Sequence, residues 1–494
     1  MRKTFLAFFS LQEYINCIVS IKQRKAKSVP MKPVISAEKG CTGGKEVFLF
    51  PKDSSESVAE FPLPSFPSGE WGLRITLKLL SNSTAADTAD VFSSEIICAG
   101  EKIKSAPVQS FVNTGAEEFR FVTLESCLLP FQGSGGKVLI TRRTDDAADT
   151  FQGASALVDA VFEFLPLPAP GIVVENSPGY NSWPMCQTLG EKIVCTYSKG
   201  SEHDVFEPHR AVFSKVSSDR GVSWSERKLV CNTPGRGDVT IGKGLDEKGN
   251  MLLFVRHAGS DGFRHRLYRT SDGEYFELLC DMDLPLDLVQ ITDIFRVPGV
   301  GLMALWFAGS YGPAADKYWG KLVSSDNGAS WECTVVEKNL DKNSWPTEPS
   351  AVYLGEGKIL VIARTESHED STETAQFQLT STDYGRSWRK ERTNITDVNI
   401  STPGLLYDPE TGEVCCYYFY RGRGILNCRK ADARYIFDHP RSWSDPEIVT
   451  TGSKEVCEAG NVNAVQLGKD HLLSYYSGAM PDTAVYVKIV AKEK

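Results

Sequence analysis

Between residues 36 and 165 apolar and polar positions alternate in short runs. KEVFLF, WGLRITLKLL, EFRFVTLESCLL, KVLITRR and ALVDAVFEFLP each have a strand's length and are set apart by turn-forming clusters. Alternation with period two puts apolar side chains on one face of a sheet, and no 3.6-residue period runs through the region. Strands at this spacing predict a β-sandwich over 36–165. LPLPAPG, Leu165–Gly171, then reads as a stiff proline-rich linker.

Beyond the linker the pattern becomes periodic. SSDRGVSW ends at Trp224, SSDNGASW at Trp331 and STDYGRSW at Trp388. A shortened TSDGEYF ends at Phe276, and HPRSWSD keeps only Trp443. One unit is therefore 52 to 57 residues long, enough for a four-stranded sheet, and sheets repeated radially leave few open edges. Five tagged units and an untagged one to the C-terminus predict a six-bladed β-propeller over 166–494, in an all-β chain. In the tag, Ser and Asp bond their own turn, Gly supplies a backbone conformation that side chains disfavour, and Trp packs into the blade. Asp219, Asp326 and Asp383 are thus expected on the rim away from any ligand.

Composition changes this picture little. The chain has 494 residues, 41% hydrophobic and 24% charged, as an ordinary globular protein of two domains does. The net charge of −9 argues against non-specific binding to nucleic acid, and no apolar run reaches the length of a membrane span. Thirteen cysteines without framework spacing predict core thiols, as at Cys195, Cys415 and Cys416, and favour a cytoplasmic location over a secreted one. MRKTFLAFFSL begins like a signal peptide but lacks a cleavage site, so residues 1–35 read as an extension, with Met31 an alternative start. No cofactor and no metal site is expected, and a monomer is favoured.

Candidate chemistry gathers where strands turn. TEPSAVYLGEGKILVIARTE turns near Glu356, which brings Glu348 and Arg364 to the same end of a blade. STPGLLYDPETGEVCCYYFYRGRG delivers Arg421 to that rim, with Arg423 in reserve, and NSWPMCQTLGEKIVCTYSKGSEHD delivers Lys199, His203 and Asp204. Guanidinium groups grip a carboxylate through paired hydrogen bonds. A carboxylate beside them handles protons or supports an oxocarbenium charge. Trp183 and Trp345, in identical NSWP contexts, are candidate stacking surfaces for a sugar. Asp238 and Asp293 are further binding candidates, and Arg236 and Arg256 are candidates for neutralising an anion. His257, His265 and His368–Asp370 read as solvated loops.

The three S-x-D-x-G-x-x-W segments and the degenerate fourth resemble the Asp boxes of the sialidase superfamily, over residues 172–494. The resemblance implies arginines that hold the carboxylate of sialic acid, and a Glu that precedes the second of them by a strand, a turn and a strand. On it Glu348, Arg364 and Arg421 take those roles. Exo-sialidases also carry an arginine near the start of the propeller and a tyrosine nucleophile in its last blade. Here Ser182 or Trp183 stands in the first place and Asn461 and Asn463 in the second, while Tyr475 and Tyr476 fall on the following strand. Those departures resemble the endosialidases of bacteriophage, which implies Glu348 as acid/base with His203 or Asp204 near the scissile bond. The expected partner is a sialylated or otherwise acidic glycan. Exo or endo cleavage, a uronic-type glycan, and a non-catalytic lectin-like propeller remain open alternatives.

Overall fold

The computed structural model describes residues 167–492 apart from 310–315, 339, 342 and 368–374, together with strand segments between Val34 and Pro166. The stretch His368–Asp370 and the extension's signal-like segment lie outside the described residues. The chain divides into two compact units: residues 1–69, 73–126 and 131–164, and residues 70–72, 127–130 and 165–494.

The first unit contains a seven-stranded and a five-stranded sheet. In the smaller sheet the strand Gly136–Thr144 is paired on both sides, with Ile140 opposite Ala59 and Ser94. Val138 and Ile140 are fully buried while Leu139 between them is not, which is the period-two pattern of the sequence made physical.

The second unit is built almost wholly of strands; its one helix among the described residues is the single turn Ala433–Ile436. Four sheets cover 237–282, 288–338, 344–392 and 404–451. A further sheet of eight strands joins 180–231 to 459–490 and Ile172–Glu175, and its two halves meet at one parallel pair, Tyr180 with Thr483. The first strand of each sheet touches the first strand of the next, and Tyr180–Leu189 touches Ala459–Leu467. Apolar clusters fill the gaps between successive sheets. Leu253 and Val255 pack with Val194 and Val212, Trp306 with Phe254, Trp345 with Leu305, Tyr418 with Ile362, and Tyr475 with Phe419. A last cluster joins Val487 to Ile193. The sheets therefore close on themselves. No helix of the described residues is long and apolar enough to cross a membrane.

The repeated turns are alike in detail. In each, the Ser hydroxyl accepts from the Gly N–H four residues on, at 2.8–2.9 Å. The Asp carboxylate accepts from both the N–H and the hydroxyl of a second Ser. Trp331 and Trp388 donate back to the glycine carbonyls of their own turns. Register puts these turns at the far end of their sheets. Ile193 pairs with Ser217 while Lys199, toward His203, pairs with Ala211; Ile359 pairs with Ser381 while Ala363, toward Arg364, pairs with Phe377.

Candidate active site

Three first strands break their ladder at the same end of the ring. The register slips between Ser182 and Met185, between Thr347 and Pro349, and between Gly460 and Asn463. Each slip holds one side-chain-bearing residue in the left-handed region: Trp183 at φ 48, Glu348 at φ 39 and Asn461 at φ 46. A bulge of this kind re-aims a side chain that regular alternation would bury, and strain held in such conformations marks functional sites. All three line one cavity of about 890 Å³.

The hairpin expected to carry an acid and a guanidinium does bring them together. Thr347 lies opposite Arg364, and the bulged Glu348 reaches back so that Arg364 Nη1 donates to its Oε1 at 2.8 Å. The other terminal nitrogen, Nη2, donates to Glu366 Oε2 at 2.6 Å. Arg364 and Glu366, two apart on one strand, share a face. Glu366 was not singled out in the sequence, although ARTE displays that spacing. The second oxygen of Glu348 accepts from the Thr402 hydroxyl, to which Asn461 also donates. Burial alone would raise the pKa of Glu348; the Arg364 charge, the Thr402 hydroxyl and Arg421 outweigh it and hold the carboxyl below its ordinary value.

Arg421 enters the cavity from the next sheet. Its Nε donates to Ala459 O at 2.8 Å and its Nη1 to Ile400 O at 3.0 Å, and Nη2 carries no protein hydrogen bond among the described residues. Gly460 stands at φ 144, and a Cβ there would fall 2.6 Å from Arg421 Nη2, so the glycine leaves room for the guanidinium.

His203 lies in the loop after the strand Lys192–Gly200. Its ring is hydrogen-bonded to the Tyr180 hydroxyl at 2.7 Å and meets Trp183 edge-on. Burial, then the charges of Arg421 and Arg210, push its pKa down to about 4. Arg210, fully buried, ties the loop down by donating to the carbonyls of Glu202 and Asp204 and to the Ser182 hydroxyl. Its guanidinium lies 4.8 Å from the Trp183 ring centre. Elsewhere in the lining Phe206 stacks on Phe263, over which the Arg256 guanidinium sits at 4.9 Å.

Of the residues expected from the sequence, Trp183, His203, Arg256, Glu348, Arg364 and Arg421 line this cavity. The others are placed elsewhere. Trp345 is 1% exposed within the core between two sheets, with Lys317 Nζ 4.2 Å from its ring. Its NSWP twin differs because the second bulge falls three residues later, at Glu348, which leaves Trp345 in regular strand. Asp204 caps the turn by accepting from Phe206 N, and Arg423 lies in the turn that begins at Tyr420; neither lines the cavity. Asp293 is engaged by Lys243 at 2.9 Å and Asn463 at 2.8 Å. Asp238 is buried against His257 at 2.6 Å.

Five further placements differ from expectation or complete it. His257 and His265 are not solvated loops: both are buried on strands that run on to the hairpin at Gly259 and Gly262. Arg236 is held by Asp261 and donates to the carbonyls of His257 and Gly262. Lys199 donates to the carbonyls of Ser177 and Pro178. Tyr475 and Tyr476 are fully buried, bonded to Gly171 N and Cys457 O. Cys195, Cys415 and Cys416 are buried free thiols.

No family model and no curated relative matches the chain. Solved structures do resemble it. A Dyadobacter fermentans protein of unknown function aligns at 16% identity over 66% of this chain and 99% of its own, with a TM-score of 0.53. The endosialidase of phage phi92 aligns at 10% identity over 66% and 70%, TM-score 0.52. The Hadza microbial sialidase Hz136 aligns at 13% identity over 89% and 97%, TM-score 0.50. At these identities the likeness is one of fold alone.

Proposed function

We propose that this chain is a glycoside hydrolase for sialic acid or a related acidic nonulosonic sugar, working in the 890 Å³ cavity. Its ring then counts as the six blades of an Asp-box propeller, with the eight-stranded sheet as two of them, and the two sheets before it form an accessory sandwich. The observation that carries the reading is the convergence of Glu348, Arg364 and Arg421, from two sheets, on that one cavity. Arg421 offers Nη2 to a sugar carboxylate, and Arg256 adds a second positive group to the same lining. Glu348, with the bulge behind it and a donor on each oxygen, is a catalytic carboxylate beside the anomeric carbon. His203 is a neutral hydrogen-bonding group near the bond to be cut, and Trp183 and Phe206 supply faces for sugar rings.

The lectin-like reading has one observation in its favour: both terminal nitrogens of Arg364 are already given to protein carboxylates. Incubation with sialyllactose and with polysialic acid, followed by NMR of the released sugar, tests the hydrolase reading. Free sialic acid at a rate that Glu348→Gln abolishes, with binding retained, supports it. Binding without turnover in the wild type overturns it in favour of the lectin.

A further inference from the structure

We propose that Glu366, rather than Glu348, delivers the proton to the departing glycosidic oxygen, with Glu348 as its ionised partner; this rests on the hydrolase reading above. The two carboxylates are not equivalent. Glu348 has donors on both oxygens, Arg364 Nη1 and the Thr402 hydroxyl. Every donor that points at a carboxylate favours its charged form. Glu366 accepts one hydrogen bond among the described residues, from Arg364 Nη2 to Oε2, which leaves Oε1 for the cavity it lines. Its side chain is 16% exposed. Two carboxylates held on one guanidinium bring two negative charges to one positive, so one of them keeps a proton more readily, as like charges at close range require.

The groups facing Glu366 agree on which one. Burial raises its pKa most, Arg364 on its own strand opposes this, and the ionised Glu348 adds to the upward shift, with Arg421 from the next sheet a lesser opposing charge. The remaining titratable side chains of the lining are His203, Arg256, Asp287, Tyr318 and Cys457, and the histidine carries no charge at neutral pH.

The chemistry balances without a further reactant. Glu366 gives its proton to the bridging oxygen as the bond from that oxygen to the anomeric carbon breaks, and the bonding pair leaves with the oxygen. Water adds to the anomeric carbon and loses a proton to Glu348. Solvent then returns that proton from Glu348 to Glu366.

A substrate that leaves without protonation separates this role from a structural one. Glu366→Gln should lower kcat for sialyllactose by roughly 10²- to 10⁴-fold, the usual worth of a general acid. Its loss on 4-methylumbelliferyl sialoside, whose phenolate departs unaided, should stay within about tenfold. The alkaline limb of the aryl substrate's pH–rate profile should vanish in the variant. Parallel losses on both substrates, or none on sialyllactose, overturn the assignment to Glu366 and leave the hydrolase reading standing. A wild type inert on both substrates removes the hydrolase reading itself and this one with it. A second measurement does not depend on turnover: in ¹³C-glutamate NMR the carboxyl signal missing from Glu366→Gln should titrate above that missing from Glu348→Gln. The reverse order overturns the proposal.

Discussion

At the scale of single residues, the Glu348–Arg364–Glu366 group is a buried charge cluster whose members need one another. Removing the guanidinium leaves two carboxylates without their counter-charge. Arg364→Met should therefore cost about 3–5 kcal/mol of stability at neutral pH, the range for stranding buried charge, as measured by urea unfolding. The cost should shrink as pH falls and the carboxylates protonate; a cost that does not depend on pH would mean that the pair is solvated. The two acids act on the wild type with opposite sign. Glu348, held below its ordinary value of 4.5, adds stability that is present above that value and lost as pH falls through its folded pKa. Glu366, raised above 4.5, detracts from stability as pH rises from there through its folded pKa. His203 belongs to the same scale. Its folded pKa of about 4 against an ordinary 6.5 means that the unfolded chain binds the proton first, so stability contributed above 6.5 is lost as pH falls from 6.5 towards 4. Its ring resonances should move near pH 4; movement near 6.5 would place the ring in solvent rather than against Tyr180 and Trp183.

At the scale of elements, the site is made by three interruptions of regular strand. Asn461 sits at φ 46, a conformation that Asn and Gly tolerate and a β-branched residue does not. Asn461→Val should lower stability by about 1–3 kcal/mol in thermal unfolding, and Asn461→Gly by much less. Equal losses would show that the side chain's bond to Thr402 matters more than the backbone. The same interruptions explain what the sequence could and could not convey. Alternation marked the strand Gly136–Thr144, and hairpin symmetry about residue 356 brought Glu348 to Arg364, because period and turn position are local properties. The bulge is not local: NSWP occurs twice, yet only Trp183 is turned into the cavity. Which residue slips is set by the neighbouring sheets, and nothing within four letters carries that. Glu366 was passed over for a different reason. It is two positions beyond Arg364, on the same face, and a reading centred on the Glu-to-Arg spacing stopped at the arginine. Arg210 was missed because its work is done through carbonyls six and eight residues back, contacts that only the folded loop creates.

At the scale of the whole ring, everything gathered in the cavity depends on closure, since its residues come from both ends of the second unit. The C-terminal strand Asp482–Val490 is the fastening. It pairs along its length with Asp470–Ala479, receives Ile172 and Val173 on its other side, and meets Tyr180 at Thr483. The seam is reinforced by polar bonds: Asn181 Nδ2 donates to Thr483 O at 2.7 Å, the Thr483 hydroxyl to Asn181 O at 2.7 Å, and Gly179 N to Asp482 Oδ1 at 2.7 Å. Asn181 directly precedes Ser182 and Trp183, so the fastening and the first bulge are adjacent. Removing the strand would expose the edges of Asp470–Ala479 and Ile172–Glu175, and unpaired edges recruit other chains. A chain ending at Met480 should therefore aggregate rather than lose activity alone, as light scattering and soluble yield would report. A gentler lesion separates closure from chemistry. Asn181→Ala removes one side-chain bond across the seam, to Thr483 O, and those to the carbonyls of Ser177 and Gly179, without touching Glu348, Arg364 or Arg421, and a buried hydrogen bond is worth about 1 kcal/mol net, more where a partner is left unsatisfied. The variant should unfold at lower urea and still bind an acidic sugar at saturation below its transition. If it bound nothing while remaining folded, the first bulge and its His203 loop would be the part of the site that closure holds in place, and the arginines alone would not suffice.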